Sequence, residues 1–216
     1  MHNIIIGETC LLSYQLRRLG IVSDAKDLFE NMLVNLDGVR AIISDDFNFL
    51  IDTNYLNYEH YVYYPDHNIG YPKWINKKYT LDNDNIFSWP VCSFFHYDSF
   101  NSSQVESIKR KVLRFKNKLE DKKAVNFYYY YRWSPNFNIE TFKDKAEDFI
   151  AYVSKKYNKD FKLTVITKKD VKYKSIQSNI KNNITYVEFS SPFSWIYIDD
   201  NWNGSSDNEL FDISNL

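Results

Sequence analysis

Cys10 is the residue of this chain best suited to covalent chemistry. An apolar run, Asn3-Ile4-Ile5-Ile6, passes through Gly7-Glu8-Thr9 into Leu11 to Leu19, where apolar residues recur at helical spacing. That pattern predicts strand, tight turn and helix, with the thiol in the first helical turn, beside unpaired backbone N–H groups and the positive end of the dipole. A thiol so placed ionises more easily, and the thiolate is the nucleophile. The competing reading is a small buried apolar residue, because free cysteine is among the most buried residue types.

A thiol nucleophile needs a base, and the chain has four histidines, His2, His60, His67 and His96. His2 is expected to fray at the terminus, and His60 and His67 fall in an irregular stretch. His96 stands in Phe94-Phe95-His96-Tyr97-Asp98, where a short apolar run ends, and Asp98 is near enough in sequence to orient an imidazole. Residues two apart share a face only on a regular strand, so a structural His96 stays open beside a catalytic one. Arg132 follows an apolar strand and suits a carboxylate or phosphate, or else a surface ion pair. Asp199 and Asp200 read either as acids that reach the histidine or a metal, or as part of a polar C-terminal loop. Gly7 alone, without a Gly-x-Gly-x-x-Gly pattern, does not make a nucleotide loop.

The elements that must position these residues alternate along the chain. After the first strand and helix, Asp24 is expected to cap a helix through Leu28, Phe29, Met32 and Leu36. Asp37-Gly38 would then separate it from a helical turn around Val39, Ile42 and Ile43. Residues 46–90 lack sustained periodicity and read as an insertion or lid of loops and short strands. Ser103-Gln104-Val105-Glu106 has capping-box form ahead of the stripe Val105, Ile108, Val112, Phe115 and Leu119. Strands are expected over 124–131, 161–167 and 184–189, a helix over 141–157, and a short C-terminal helix through Leu210, Phe211 and Ile213. Helices between successive strands imply an α/β fold, three-layered, with a mainly parallel sheet in a single domain. In such sheets the loops at the carboxyl ends of the strands gather the active site, and both Cys10 and Arg132 follow strands.

Composition removes several function classes. The chain has 216 residues, 44% hydrophobic, and only 5 Gly and 5 Pro, enough for one substantial core and too few breakers for a low-complexity protein. Lys+Arg 27 against Asp+Glu 28 gives a net charge of -1, which offers no global field for nucleic acid or an anionic membrane. The basic run Lys109-Arg110-Lys111 is offset by Glu106, Glu120 and Asp121 and reads as a solvated helix face. No signal segment or membrane-spanning stretch is expected, which points to the cytoplasm. The two cysteines, Cys10 and Cys92, show no zinc spacing; no metal or cofactor is expected, and a disulfide between them is a minor alternative. Aromatic residues make up 18%. Runs such as 61–64 and 127–131 fit strands and core better than stacking surfaces.

The segments 6–10 and 14–21, Ile-Gly-Glu-Thr-Cys and Tyr-Gln-Leu-Arg-Arg-Leu-Gly-Ile, resemble the opening of a domain family of papain-like cysteine peptidases of unknown function. That family reads Leu-Gly-x-Asn-Cys, Gln-Leu-Arg, Phe-Asp-Trp, His-Asp-Phe and finally Trp-x-Gly. Here Cys10 and Gln15-Leu16-Arg17 match, Tyr97 interposes between His96 and Asp98, and Trp202-Asn203-Gly204 matches the last element, so the resemblance covers nearly the whole chain. Thr9 replaces the usual Asn, and Phe29-Glu30-Asn31 keeps an acid but loses the tryptophan. The resemblance implies a Cys-His enzyme with Cys10 as nucleophile, His96 as general base and then acid, and Asp98 behind it. Gly7, Thr9, Gln15, Arg17, Arg132 and Trp202 are candidate substrate-binding residues, and Glu30 stands where the family's acid would orient the histidine or bind substrate.

Three functions fit these residues. One is a cysteine hydrolase, a peptidase or amidase. Another is a cysteine-dependent transferase moving an acyl or other group onto a polysaccharide sugar, with Trp74 and Trp89 as stacking platforms. The third is a binding domain with a vestigial Cys-His pair. The substrate is accordingly a small molecule, a peptide or a glycan.

Overall fold

A computed structural model of the chain describes residues 1–7, 12–13, 16–17, 20–22, 27–64, 69–80, 92–95, 101–131, 139–169 and 175–190. Strand β1 (His2–Gly7) enters with Ile4, Ile5 and Ile6 all buried. Successive strand residues point to opposite faces, so an unbroken apolar triplet requires cover on both sides of the sheet. The cover is there. Ile4 and Ile6 pack with Phe127, Tyr129, Phe149 and Leu163 on one face, and Ile5 packs with Leu12, Leu16, Tyr128, Tyr130 and Ile166 on the other.

The main sheet has five strands in the order β1, β6 (Val125–Tyr131), β7 (Phe161–Lys169), β9 (Ile184–Ser190), β8 (Ser175–Lys181). The first four run parallel and β8 is antiparallel at the edge. With helices on it, this is an α/β fold. Asn182 and Asn183, with φ of 50° and 64°, turn β8 into β9. Both central residues left-handed is the turn whose twist matches a two-residue hairpin.

Three helices of eight residues or more are described: α1 (Leu36–Ser44), α2 (Ser102–Glu120) and α3 (Ile139–Tyr157). α3 joins β6 to β7 and buries Phe142, Ala146, Phe149, Ile150 and Val153. Phe127 meets Phe149 edge-on at 5.4 Å and stacks on Phe161 at 5.5 Å. Burying a phenylalanine is worth about 2 kcal/mol by area alone, so this trio contributes strongly to holding helix and sheet together. α2 turns Ile108, Phe115 and Leu119 inward, as its stripe predicts.

A second sheet, wholly antiparallel, runs β2 (Met32–Val34), β5 (Cys92–Phe95), β4 (Ile69–Asn76), β3 (Leu56–Tyr64). It shares the larger core with the main sheet, since Met32, Val34, Trp74, Cys92 and Phe94 join the cluster that holds Ile4 and Ile6. Part of it, the β3–β4 hairpin, occupies the stretch expected to carry loops and short strands.

Several local expectations are corrected. The helix expected from Asp24 through Leu36 is instead a 3-10 turn, Leu28–Asn31, followed by β2. Met32, Leu33 and Val34 pair with Phe94, Ser93 and Cys92, and this long-range ladder overrides local propensity. α1 begins at Asn35, whose side chain accepts from the Gly38 N–H, so Asp37-Gly38 lies inside the helix it was expected to precede. The cap of α2 is Asn101, accepting from the Ser103 and Gln104 N–H groups, rather than Ser103. His2 is not frayed: it lies in β1 opposite Val125, and its Nε2 is 2.6 Å from Asp121. His60 lies in β3. His67 and the expected C-terminal helix lie outside the described residues.

Candidate active site

β1 ends at Gly7, which is opposite Tyr130 of β6 in parallel register. The two strands therefore finish side by side at the carboxyl edge of the sheet, where parallel α/β folds collect reactive loops. Gly7 has a φ of +117°, and a Cβ there would stand 2.6 Å from the Tyr129 ring. A conformation that L residues rarely adopt and a close aromatic neighbour both require glycine at the point where the chain leaves the strand toward Cys10.

The chain then turns back over the sheet. Leu12, Ser13, Leu16 and Arg17 are helical, and Leu12 and Leu16 sink into the core that contains Ile5, Tyr128 and Tyr130. The helix ends in a Schellman pair: Ile21 N–H donates to Leu16 C=O at 2.9 Å and Gly20 N–H to Arg17 C=O at 2.8 Å, with Gly20 at φ +68°. Strand β1 before Cys10 and the helical residues 12–13 and 16–17 after it agree with the apolar spacing, while residues 8–11 lie outside the described residues.

Arg17 carries the strongest polar contact of this region. Its Nη2 straddles both carboxylate oxygens of Glu30 at 2.5 Å, and its Nη1 donates to Ser13 Oγ at 3.2 Å. Glu30 is 2% exposed. Its Oε1 also accepts the Asp27 N–H at 2.5 Å. Asp27 in turn accepts from Lys118 at 2.5 Å and from the Ile5 N–H at 3.4 Å. A buried carboxylate is tolerable only when its charge and lone pairs are answered, and Arg17 with the Asp27 N–H answers them.

The other flank is β5. Phe94 pairs with Met32, and Phe95 with Lys73, at the carboxyl end of the strand. Met32 directly follows the 3-10 turn that holds Glu30, and that turn packs on β1. His96 is the next residue in the chain after β5. Cys92, at the other end of β5, is wholly buried, and burial pushes its thiol well above the usual range.

Of the residues singled out from the sequence, Gly7, Arg17 and Glu30 are placed, and the last two are joined to each other. Cys10, His96, Asp98, Thr9, Gln15, Arg132 and Trp202 lie outside the described residues, as do Trp89 and the Asp199-Asp200 pair. Trp74 is buried and meets Tyr58 edge-on at 5.2 Å, so its indole is core rather than an open platform for a sugar. Sequence reasoning missed Asp27 and Lys118. The signal for Asp27 was present: Asp27-Leu28-Phe29-Glu30 has the spacing of a capping box, in which the acid at the third position reaches back to the first N–H.

A family model described as "Putative papain-like cysteine peptidase (DUF1796)" matches residues 2–170. The chain belongs to this family. The match to this papain-like family runs from β1 through β7 and takes in the glycine turn, the Arg17–Glu30 pair and β5. It supports a cysteine hydrolase in general terms. No curated protein and no solved structure matches the chain. Among the described residues no group of His, Cys, Asp and Glu is arranged to hold a metal ion, and no helix is long and apolar enough to cross a membrane.

Proposed function

We propose that the protein is a thiol hydrolase acting on an amide or peptide bond, with Cys10 as nucleophile and His96 as its base. The observation that carries this reading is the convergence at Glu30. One side of this acid is bonded to Arg17, on the helical segment that follows Cys10. On its other side the 3-10 turn runs into Met32, the partner of Phe94, two residues before His96 in the chain.

In the proposed reaction His96 takes the Cys10 proton, and the thiolate attacks the substrate carbonyl to form a C–S bond. Backbone N–H groups at the helix start hold the oxyanion, the C–N bond breaks, and His96 returns its proton to the leaving amine. Water, deprotonated by His96, then hydrolyses the thioester. Asp98 orients the imidazole. Gly7, Thr9, Gln15, Arg132 and Trp202 line the approach for a small amide or peptide.

The test is the pH dependence of Cys10 alkylation by iodoacetamide, read by mass spectrometry on the native protein and on His96→Ala, with Cys92 as internal control. A Cys10 midpoint well below about 8.5 that returns to the ordinary value in His96→Ala supports the mechanism. A slow, unshifted Cys10 in both proteins overturns it and leaves a binding domain.

A further inference from the structure

We propose that the Arg17–Glu30 ion pair is a positioning clamp, fixing the helical segment that follows Cys10 against the 3-10 turn and so setting the reach between the thiol and His96. The inference rests on the thiol-hydrolase reading and deepens it. It assigns the two residues a role in holding the machinery rather than in touching substrate.

The argument begins with what the pair joins. Arg17 is helical, as are Leu12 and Leu16, whose apolar side chains pack on one face of the sheet. Apolar packing is non-directional, and beyond it Asn3 Nδ2 of β1 donates to the Ile21 carbonyl at 2.7 Å, tying the end of the segment to the sheet. A guanidinium held by both oxygens of one carboxylate adds a second tie, to the 3-10 turn, because its hydrogen bonds are directional and charge-assisted. Ser13, one turn before Arg17, fixes the other guanidinium nitrogen from within the helix itself.

Glu30 is anchored on several sides. It is 2% exposed, its oxygen takes the Asp27 N–H, and Phe29 beside it meets Phe115 of α2 edge-on at 5.2 Å. Lys118 of α2 closes on Asp27. The acid is therefore a fixed post, tied to the backbone, to α2 and to β1, and Arg17 is bonded to it. The turn that carries the post runs straight into β2, whose ladder with β5 reaches Phe94, two residues before His96 in the chain. A shift of the post by one methylene displaces one side of the reaction centre relative to the other, and misplacements of about 1 Å cost on the order of 100-fold in rate.

The test compares Cys10 alkylation profiles of the wild type with Glu30→Asp, Arg17→Lys and Glu30→Gln. Phe149→Leu is the stability control, because it loosens the α3 core far from the pair. Cys92 labelling reports folding in every sample. With Cys92 protected, Glu30→Asp is expected to move the Cys10 midpoint toward 8.5 and to slow alkylation at pH 6 at least tenfold, and Arg17→Lys to act in the same direction more weakly. Phe149→Leu is expected to lower the melting temperature without moving the midpoint. Hydrogen exchange in residues 12–22 should rise in Glu30→Asp and not in Phe149→Leu.

Unchanged Cys10 midpoints in folded Glu30→Asp and Arg17→Lys, against a shifted wild type, overturn the clamp and leave the thiol reading standing. An ordinary midpoint in the wild type itself overturns both. If Glu30→Gln exposes Cys92, the two conservative variants decide the matter.

Discussion

Tyr129 lies directly against Gly7: a Cβ added to Gly7 would come 2.6 Å from ring carbon Cδ2 and 2.7 Å from Cε2. The ring is fully buried and stacks on Phe142 at 5.6 Å, so it has little room to retreat. Gly7→Ala combines that clash with a φ of +117°, and the expected cost is about 2 kcal/mol or more. Urea unfolding monitored by tyrosine fluorescence measures it. Gly7→Ala with Tyr129→Leu should recover the part due to the ring and keep the part due to the backbone.

Cys92 should be silent in the native protein. Its thiol is 0% exposed and raised by burial, so the thiolate is scarce and the alkylating agent has no access. Iodoacetamide at pH 8 is expected to label Cys92 only after denaturant is added. Native labelling at a rate near that of a free thiol would contradict the packing of β5.

The Arg17–Glu30 pair should show the asymmetry of buried ion pairs. Glu30→Leu alone removes the buried carboxylate from beside the Arg17 guanidinium and is expected to cost about 3–5 kcal/mol, whereas Arg17→Met with Glu30→Leu should cost far less. Equilibrium unfolding of the singles and the double closes the cycle. If the clamp operates, the double variant keeps its stability and loses the reactivity of Cys10.

Alkaline pH should destabilise the fold. Burial first, and then Asp46, Glu120 and Tyr152, push the Tyr157 hydroxyl up to about 12 from its ordinary 10.0, and Tyr79 is raised by burial as well. Above pH 10 the unfolded chain gives up these protons while the folded chain keeps them, so stability is intact below 10 and falls as pH rises toward 12. Urea midpoints from pH 9 to 11.5 check this, and Tyr157→Phe should flatten the decline.

The sequence was most readable where one physical signal acted alone. The strand through Ile4, Ile5 and Ile6, the α2 stripe and the α3 stripe needed only periodicity, and the parallel sheet followed from their order. The end of β1 at Gly7 and the close of the helical stretch at Gly20 were also legible, because glycine marks both. The stretch 28–38 was not. Its apolar residues fit a helix by spacing, yet Met32 to Val34 pair with a strand near residue 94, a partner that no local window contains. Glu30 was legible as a matched motif position but not as Arg17's partner, since that relation exists only once the 3-10 turn lies against β1. β8 gave no periodic signal, although Asn182-Asn183 is a recognisable hairpin turn.

The pairing of β1 with β6 has a temporal consequence. His2 lies opposite Val125, and its bond to Asp121 spans 119 residues of sequence. The whole antiparallel sheet and α2 are threaded between these two neighbours. Contacts so distant along the chain must wait for a large loop to close, and proteins dominated by them fold slowly. During synthesis Leu12 and Leu16 leave the ribosome early, but the core they join is completed only after β6 has emerged. Until then Leu12 and Leu16 lack the Tyr128 and Tyr130 side chains they pack against, and assembly order leaves this face of β1 uncovered on an unfinished chain.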